Sequence, residues 1–360
     1  MIKQILVRLS KKRLFMPILC LCIVLLLNVI KTPDFFYVTI KGGVFYGYVI
    51  DVINRASELV ILAIGMTLCV GSSAGTDISV GSIMAVAAAV CCAILAGGQV
   101  SVTEYQNPYF IAVLAALGVG IICGAFNGFL VAHLKIQPMV ATLILFTAGR
   151  GIAQLITNGQ ITYVRVNEYK LLGANIPGVP LPTSVFVVVF VILVAQLVLK
   201  KTSLGMYIEA VGINAKASRL VGLKSTAIIF STYVACGLCA GIAGLIMSSR
   251  IYSADANNIG LLMELDAILS VALGGNNLGG GKFSITGSII GAYTIQALTT
   301  TLYAMGVSAD QIPVFKSFVV VIIVSLQSEV VIAWFNNFKI NRNFTTPASK
   351  LIIKGVQNEN

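Results

Sequence analysis

Ten apolar runs divide the chain, at 14–30, 48–71, 78–97, 109–132, 138–157, 184–199, 226–249, 261–275, 284–305 and 313–334. Most approach or exceed the roughly 20 mostly apolar residues that one helical crossing of a hydrocarbon core requires. Backbone polar groups in lipid must be satisfied within the crossing segment, so runs of this length predict helices. The expected fold is an all-α integral membrane protein, a bundle of about ten transmembrane helices over 14–335. A short segment 1–13 precedes the bundle and a tail 336–360 follows it.

The eighth run breaks the pattern. Residues 261–275 are few, carry Glu264 and Asp266, and lead into Gly274-Gly275-Asn276-Asn277-Leu278-Gly279-Gly280-Gly281. A full span and a re-entrant or broken helix are both open there, and irregular backbone at membrane depth survives only where it lines protein or a watery cavity. Small residues recur in other runs, as in Gly118, Gly120, Gly124 and Gly128 and again in Gly237, Gly241 and Gly244. They let helix backbones approach closely in lipid and predict a tightly packed bundle.

Composition supports this reading and removes alternatives. With 58% hydrophobic and 10% charged residues and a mean hydropathy of +0.95, the chain lies far from water-soluble domains. Lys3, Arg8, Lys11, Lys12 and Arg13 precede the first run and Lys31-Thr32-Pro33-Asp34 follows it. No small-x-small cleavage pattern intervenes, so the run is predicted to be a retained signal anchor.

Basic residues then set orientation. With the N-terminus inside, sixteen fall on the cytoplasmic side, including Lys135, Lys200, Lys201, Lys216, Arg219, Lys224 and Lys282 and the tail residues Lys339, Arg342, Lys350 and Lys354. Only Lys31, Lys41, Arg165, Lys170 and Arg250 fall outside. The excess predicts that both termini are cytoplasmic. The net charge of +11 is therefore mostly topological and implies no nucleic-acid partner.

Candidate chemistry is sparse. The eight cysteines lie within apolar runs, where thiols behave as small hydrophobes, and Cys236-x-x-Cys239 has no second Cys or His pair beside it. The tract ending in Gly281-Lys282 is not a phosphate-binding loop, which requires Gly where Asn276 stands and Ser or Thr where Phe283 stands. The single histidine, His133, is expected at the membrane interface, so neither a metal centre nor a hydrolase is assembled.

Four features remain. In Gly75-Thr76-Asp77-Ile78-Ser79-Val80-Gly81-Ser82, Asp77 or Ser79 can cap the third span, or the turn can lie near a gate. Arg150 sits within the fifth run, where a buried guanidinium costs about 2.5–3.5 kcal/mol and must face the bundle interior or water; an ion pair and a substrate contact are both open. Glu264 and Asp266 are two apart and occupy different helix faces. Finally, Asn214 can cap two helical turns through Ala215, Ala217 and Leu220, with Gly222 suited to a left-handed end.

Three stretches carry a resemblance to a known family. They are Thr67 with Gly75-Thr76-Asp77-Ile78-Ser79-Val80-Gly81, then Lys135-Ile136-Gln137-Pro138-Met139-Val140-Ala141-Thr142-Leu143, and Leu204-Gly205-Met206 through Glu209, Gly212 and Asn214 to Gly222. From about residue 50 to about 330 the chain resembles the permease subunits of bacterial ATP-binding-cassette importers for ribose, galactose and related sugars. Ala148-Gly149-Arg150-Gly151, Ala254-Asp255-Ala256-Asn257-Asn258 and Glu264-Leu265-Asp266 bring it nearest to the galactofuranose permeases. Thr76 departs from the Ile usual at its position.

The resemblance implies a non-enzymatic transport subunit in the bacterial inner membrane, one of two permease chains, identical or related. A separate ATPase would bind ATP and Mg²⁺, and a periplasmic sugar-binding protein would deliver the sugar; this chain would hold no cofactor. The loop 200–225 would carry the helix that couples to the ATPase, through Glu209, Gly212, Asn214, Ala215, Ala217 and Gly222. Pathway or gate candidates are Asp77, Ser79, Gln137, Thr142, Arg150, Asn257, Asn258, Glu264 and Asp266. Arg250 and Asp255, charges on a charge-poor outer face, are the candidates for docking the binding protein. The competing expectation is an ion-coupled secondary transporter, for which Asp77, Glu264 and Asp266 would supply intramembrane acids.

Overall fold

The computed structural model describes residues 14–176 and 178–327. The basic segment 1–13, the tail with Lys339, Arg342, Lys350 and Lys354, and the last part of the tenth run lie outside the described residues. Each of the ten runs carries a helix, with both ends within two residues of expectation wherever the run is fully described. These are α1 (Phe15–Lys31), α2 (Tyr48–Ser73), α3 (Val80–Ala96), α4 (Tyr109–Ala132), α5 (Pro138–Ile156), α6 (Thr183–Lys201), α9 (Ser225–Ile251), α10 (Met263–Leu273), α11 (Ile285–Ala304) and α12 (Ile312–Gln327). Between α6 and α9 stand α7 (Leu204–Ile213) and α8 (Ala215–Leu220).

Short strands show which loops share an end of the bundle. β1 (Thr39–Lys41) and β2 (Val44–Tyr46) form an antiparallel hairpin. β3 (Ser101–Val102) runs parallel to β4 (Thr162–Val164), which is antiparallel to β5 (Ser253–Ala254). Phe45 N–H donates to Pro180 O at 3.1 Å and joins the hairpin to this group. Loops 32–47, 97–108, 157–182 and 252–262 thus meet at one end, the sheet end. At the other, the short-helix end, Gly281 N–H donates to Gly71 O at 3.1 Å, and one cleft is lined by Ser73, Pro138 and Gly212.

Among the described residues five helices, α2, α4, α5, α6 and α9, are each long and apolar enough to cross a membrane. Their burial differs: 89% of the apolar window of α2 is buried inside the protein against 11% for α6. Helix α2 is the interior post, and α9 packs along it and along α4 and α3. Of the glycines whose spacing predicts close packing, Gly118 faces open space while Gly120 and Gly124 make the contact. A Cβ at Gly120 would lie 2.6 Å from Gly237 O, and one at Gly124 would lie 2.5 Å from Tyr233 O, so α4 and α9 touch backbone to backbone.

Helix α10 has 11 residues and, at about 1.5 Å per residue, reaches about 16 Å. That is about half of a ~30 Å hydrocarbon core, so of the two readings its composition left open, a full span and a broken helix, the eighth run takes the broken one. The described residues up to Ile312 form one structural unit, and a second unit beginning at Pro313 contributes most of α12 among the described residues.

Candidate functional site

The chain between α2 and α3 turns back into the bundle. Ala74, in the left-handed region at φ 54°, ends α2. Gly75 then lies against Pro138 so closely that a Cβ would approach its Cγ to 2.5 Å. Asp77 is fully buried, and its Oδ1 accepts from Ser79 N at 2.9 Å and Ser79 Oγ at 2.6 Å. Asn127 Nδ2 on α4 donates to Ser79 Oγ at 2.7 Å and approaches both Asp77 carboxylate oxygens at 3.4 Å. On α5, Thr142 Oγ1 accepts from Ile78 N at 3.2 Å, and Ser82 Oγ donates to Leu145 O at 2.9 Å.

Asp77 therefore closes the turn before α3 instead of capping the helix. Ser79 occupies the N-cap position without a side-chain capping bond. Both expectations of a side-chain cap are corrected: buried in protein, Asp77 is held by the turn and by Asn127 rather than by the first turn of α3.

The second interruption approaches from the opposite end. After β5 the chain bends inward, with Asp255 Oδ1 accepting from Asn257 N at 3.0 Å and Asn258 N at 3.2 Å. Gly260 and Leu262 both have positive φ, 68° and 63°. Gly260 then packs on the backbone of Gly81, where a Cβ on Gly81 would collide with Gly260 O and with the Glu264 carboxylate. The N-termini of α3 and α10 thus meet inside the bundle. Irregular backbone at such depth is tolerated when protein surrounds it, and unpaired amide ends and dipoles there favour polar or anionic groups.

Arg150, near the middle of α5, holds this crossing point. Its Nη1 donates to Ala256 O at 3.2 Å, Asn257 O at 3.0 Å and Ile259 O at 3.1 Å. Its partners are carbonyls of the inward bend rather than a carboxylate. Gln154, one turn further on α5, donates to Asn257 Oδ1 at 2.5 Å. Arg150 Nη2 and Glu264 Oε2 have no hydrogen-bond partner among the described residues. Glu264 is 3% exposed and Asp266 is half-buried, so they occupy different faces as expected. Thr147, Gln154, Asn257 and Asn258 are exposed, a polar face beside the Arg150 contact.

At the short-helix end, Asn214 Oδ1 accepts from Lys216 N and Ala217 N, both at 3.0 Å, as an N-cap of α8. Gly222 N bonds Arg219 O and Leu223 N bonds Ser218 O, while Gly222 has φ 88°. That pair of bonds is a Schellman ending. Gly212 packs on Gly71 O, and a Cβ there would lie 2.7 Å from Gly281 N. A small core of Ile208, Val211 and Ile228, extended by Leu68 and Phe283, supports α7 and α8. Gln137, Gly212 and Ala215 border one cleft of about 330 Å³, whereas Glu209 borders another of about 320 Å³ with Lys200 and Ser284. Leu220 and Val221, at the tip, are 89% and 77% exposed.

Arg250 is not a free surface charge. Its Nη1 lies 2.7 Å from Glu58 Oε1, Nη2 donates to Asn54 O and Asn54 Oδ1 at 2.9 Å, and Nε donates to Gly173 O at 3.2 Å. Asp255 is spent on its own turn. Neither of the two docking candidates is a free charge: a buried carboxylate engages Arg250 and a tight bend engages Asp255.

Sequence reasoning also passed over Glu58, Asn127 and Gln154. Asn127 signals itself only as an amide within the apolar fourth run, and Glu58 only as one of several polar residues, with Asp51, Asn54 and Arg55, in the first half of the second. Cys69, Asp77 and Cys236 place their ligand-type atoms within 4.8 Å of one another. Hydrogen bonds describe that contact, since Asp77 is held by Ser79 and Asn127 and Cys69 Sγ donates to Thr232 O at 3.5 Å.

Residues 48–326 match the family described as branched-chain amino acid transport system / permease component. The chain is 44% identical over 312 residues to the galactofuranose transporter permease protein of Escherichia coli K12, covering 87% of this chain and 89% of that protein. It is 39% identical over 285 residues to a fructose import permease protein of Bifidobacterium longum, 78% of each. With the ribose import permease protein of E. coli K12 it shares 35% identity over 314 residues, 86% of this chain and 92% of the other. No solved structure matches the chain.

Proposed function

The chain belongs to the branched-chain amino acid transport system / permease component family, and on that premise we propose how it works as the transmembrane permease subunit of an ATP-binding-cassette sugar importer. The carrying observation is the exposed polar face of Thr147, Gln154, Asn257 and Asn258 beside Arg150. Elsewhere the bundle exposes Ile122, Phe190 and Leu155, as a lipid-facing surface should. Polar groups within a membrane bundle face water or protein, so this face lines the sugar path, and a second permease chain closes its other side.

The sugar is a monosaccharide of the galactofuranose kind, supported by higher identity to the galactofuranose permease than to the fructose or ribose permeases. Hydroxyls meet the amide groups of Gln154, Asn257 and Asn258, while Arg150 keeps the inward bend in place. Asp77 and Ser79, with Thr142, hold the opposing break and act as the gate's hinge. ATP and Mg²⁺ bind a separate ATPase, which seats on α8 and on the exposed Leu220 and Val221. The sheet end faces the periplasm and receives the sugar-binding protein, with exposed Arg165, Glu168 and Lys170 as the contact in place of Arg250 and Asp255.

Uptake of labelled galactofuranose, fructose and ribose into vesicles holding the permease, its ATPase and its binding protein tests the reading. Galactofuranose uptake that requires ATP is expected, with Asn257→Leu abolishing it at unchanged protein level. Uptake without the ATPase would overturn the mechanism. For topology, Lys216→Cys in a cysteine-free background is expected to resist an external thiol reagent while Asn167→Cys reacts; both positions are exposed.

A further inference from the structure

Beside the α8 segment, on the flank of the short-helix end, lies a cleft of about 630 Å³ that the transport reading leaves unused. Its walls include His133 from the end of α4, Arg219 from α8, and Leu223, Lys224, Thr226 and Phe230 at the start of α9. His133, Arg219 and Lys224 are exposed. Arg219 is already aimed: its Nε donates to Ser225 Oγ at 3.1 Å and its Nη2 to Thr226 Oγ1 at 3.2 Å. No side chain caps α9, whose N-cap position is Lys224, so the first-turn amides of a 27-residue helix end at the cleft. Two cationic side chains, an imidazole and an uncapped helix N-terminus together form an anion-binding surface.

What adjoins the cleft selects among anions. Ile122, Phe126 and Phe129 are 67%, 43% and 48% exposed, and with His133 they fall at i, i+4, i+7 and i+11, on one face of α4. Phe129 stacks on His133 at 5.4 Å and Phe230 meets His133 edge-on at 5.9 Å. An apolar track therefore runs along α4 directly into the basic cleft. A ligand that matches both parts carries a phosphate head and hydrocarbon chains.

We infer that this cleft is a binding site for an anionic phospholipid, its phosphate held by Arg219, Lys224 and the N-terminus of α9 and its chains laid along Ile122, Phe126 and Phe129. The lipid would tie α8 to α9, the two elements that Ser225 already joins through its bond to Ala215 O at 3.1 Å. The inference rests on the transport reading only in taking the chain as membrane-embedded, with this end at a leaflet surface where basic clefts between helices collect anionic head groups.

The test uses the purified full chain in nanodiscs of phosphatidylcholine alone or doped with phosphatidylglycerol, with retained lipid counted by native mass spectrometry and binding measured by titration. Selective retention of phosphatidylglycerol is expected. Each basic side chain near an anionic head group is worth a factor of about five. Lys224→Gln should therefore weaken retention about fivefold and the Arg219→Gln/Lys224→Gln pair about 25-fold, while Lys216→Gln, outside the cleft, changes nothing. Lys224→Gln leaves the Arg219 bonds to α9 intact, so it decides the matter if the pair fails to fold.

Equal retention of both lipids, or no change in Lys224→Gln, would overturn the inference. Displacement by inorganic phosphate at the lipid's own potency would also overturn it, by assigning the site to a free anion. Loss of the bound lipid when the ATPase joins would show that protein covers the cleft, which equally removes it. None of these results depends on sugar uptake, so they stand apart from failure of the transport mechanism.

Discussion

The two ends of the bundle are built on different principles. At the sheet end, three loops are joined by β-pairing, a fourth by the Phe45–Pro180 backbone bond, and one guanidinium meets Glu58, Asn54 and Gly173 at once. At the short-helix end, the connections are two short helices, three clefts and an apolar tip that no described residue covers. The first end is closed by contacts the subunit makes with itself. The second keeps its contacts small and its surface open, as a segment does that must follow a partner's motion. Stability and coupling are therefore expected to separate along the chain.

Arg250→Ala should produce the largest loss of stability. It leaves Glu58 buried and unpaired, which costs about 3–5 kcal/mol, and thermal unfolding in detergent should show it as a large drop in Tm. Replacing both partners, as in Glu58→Leu with Arg250→Met, should recover most of that loss. If Arg250→Ala melted like the wild type, the sheet end would not be the clamp described.

Gly212→Val comes next. Its Cβ meets Gly71 O and the backbone of Gly281, and overpacking costs about 1–3 kcal/mol. Because the strain falls where α7 meets α2, uptake should fall further than the melting temperature predicts, which parallel measurements on one preparation would reveal.

Asn214→Ala removes a cap bonded to two amides, worth about 0.5–2 kcal/mol. Since α8 has only six residues, the loss should appear as faster hydrogen exchange across Ala215–Leu220 while the rest of the bundle is unchanged. Uniform exchange throughout the protein would contradict a locally held helix.

Ala217→Trp should change stability least, by less than about 0.5 kcal/mol, as an exposed substitution. It should nonetheless abolish sugar uptake and the stimulation of ATPase activity by loaded binding protein. Wild-type coupling in this variant would make α8 an ordinary solvated helix and erase the functional contrast between the ends.

The sequence by itself determined where the helices lie. Apolar periodicity is local, so each span can be found from its own residues, and the Asn214 and Gly222 ends of α8 follow from conformational preferences a few residues wide. The eighth span was legible only as irregular, because Glu264, Asp266 and the glycines after them suit continuous burial in lipid poorly, which left a full crossing and a break both open. The short helix α7 was not, since its residues read equally well as a connecting loop until Ile208 and Val211 find Ile228.

Only the tertiary structure decided what the polar residues do. Arg250 stands far from Glu58 in the chain, and nothing local marks one as the other's partner; desolvation of both charges inside the bundle makes the pairing obligatory. Asp77, Ser79, Arg150 and Asn257 were found as residue types, but the meeting of two helix N-termini at Gly81 and Gly260 depends on segments about 180 residues apart coming into contact, as the backbone packing of the two glycines shows. A polar group in lipid must find its partner wherever the fold places one, and sequence proximity does not record that location.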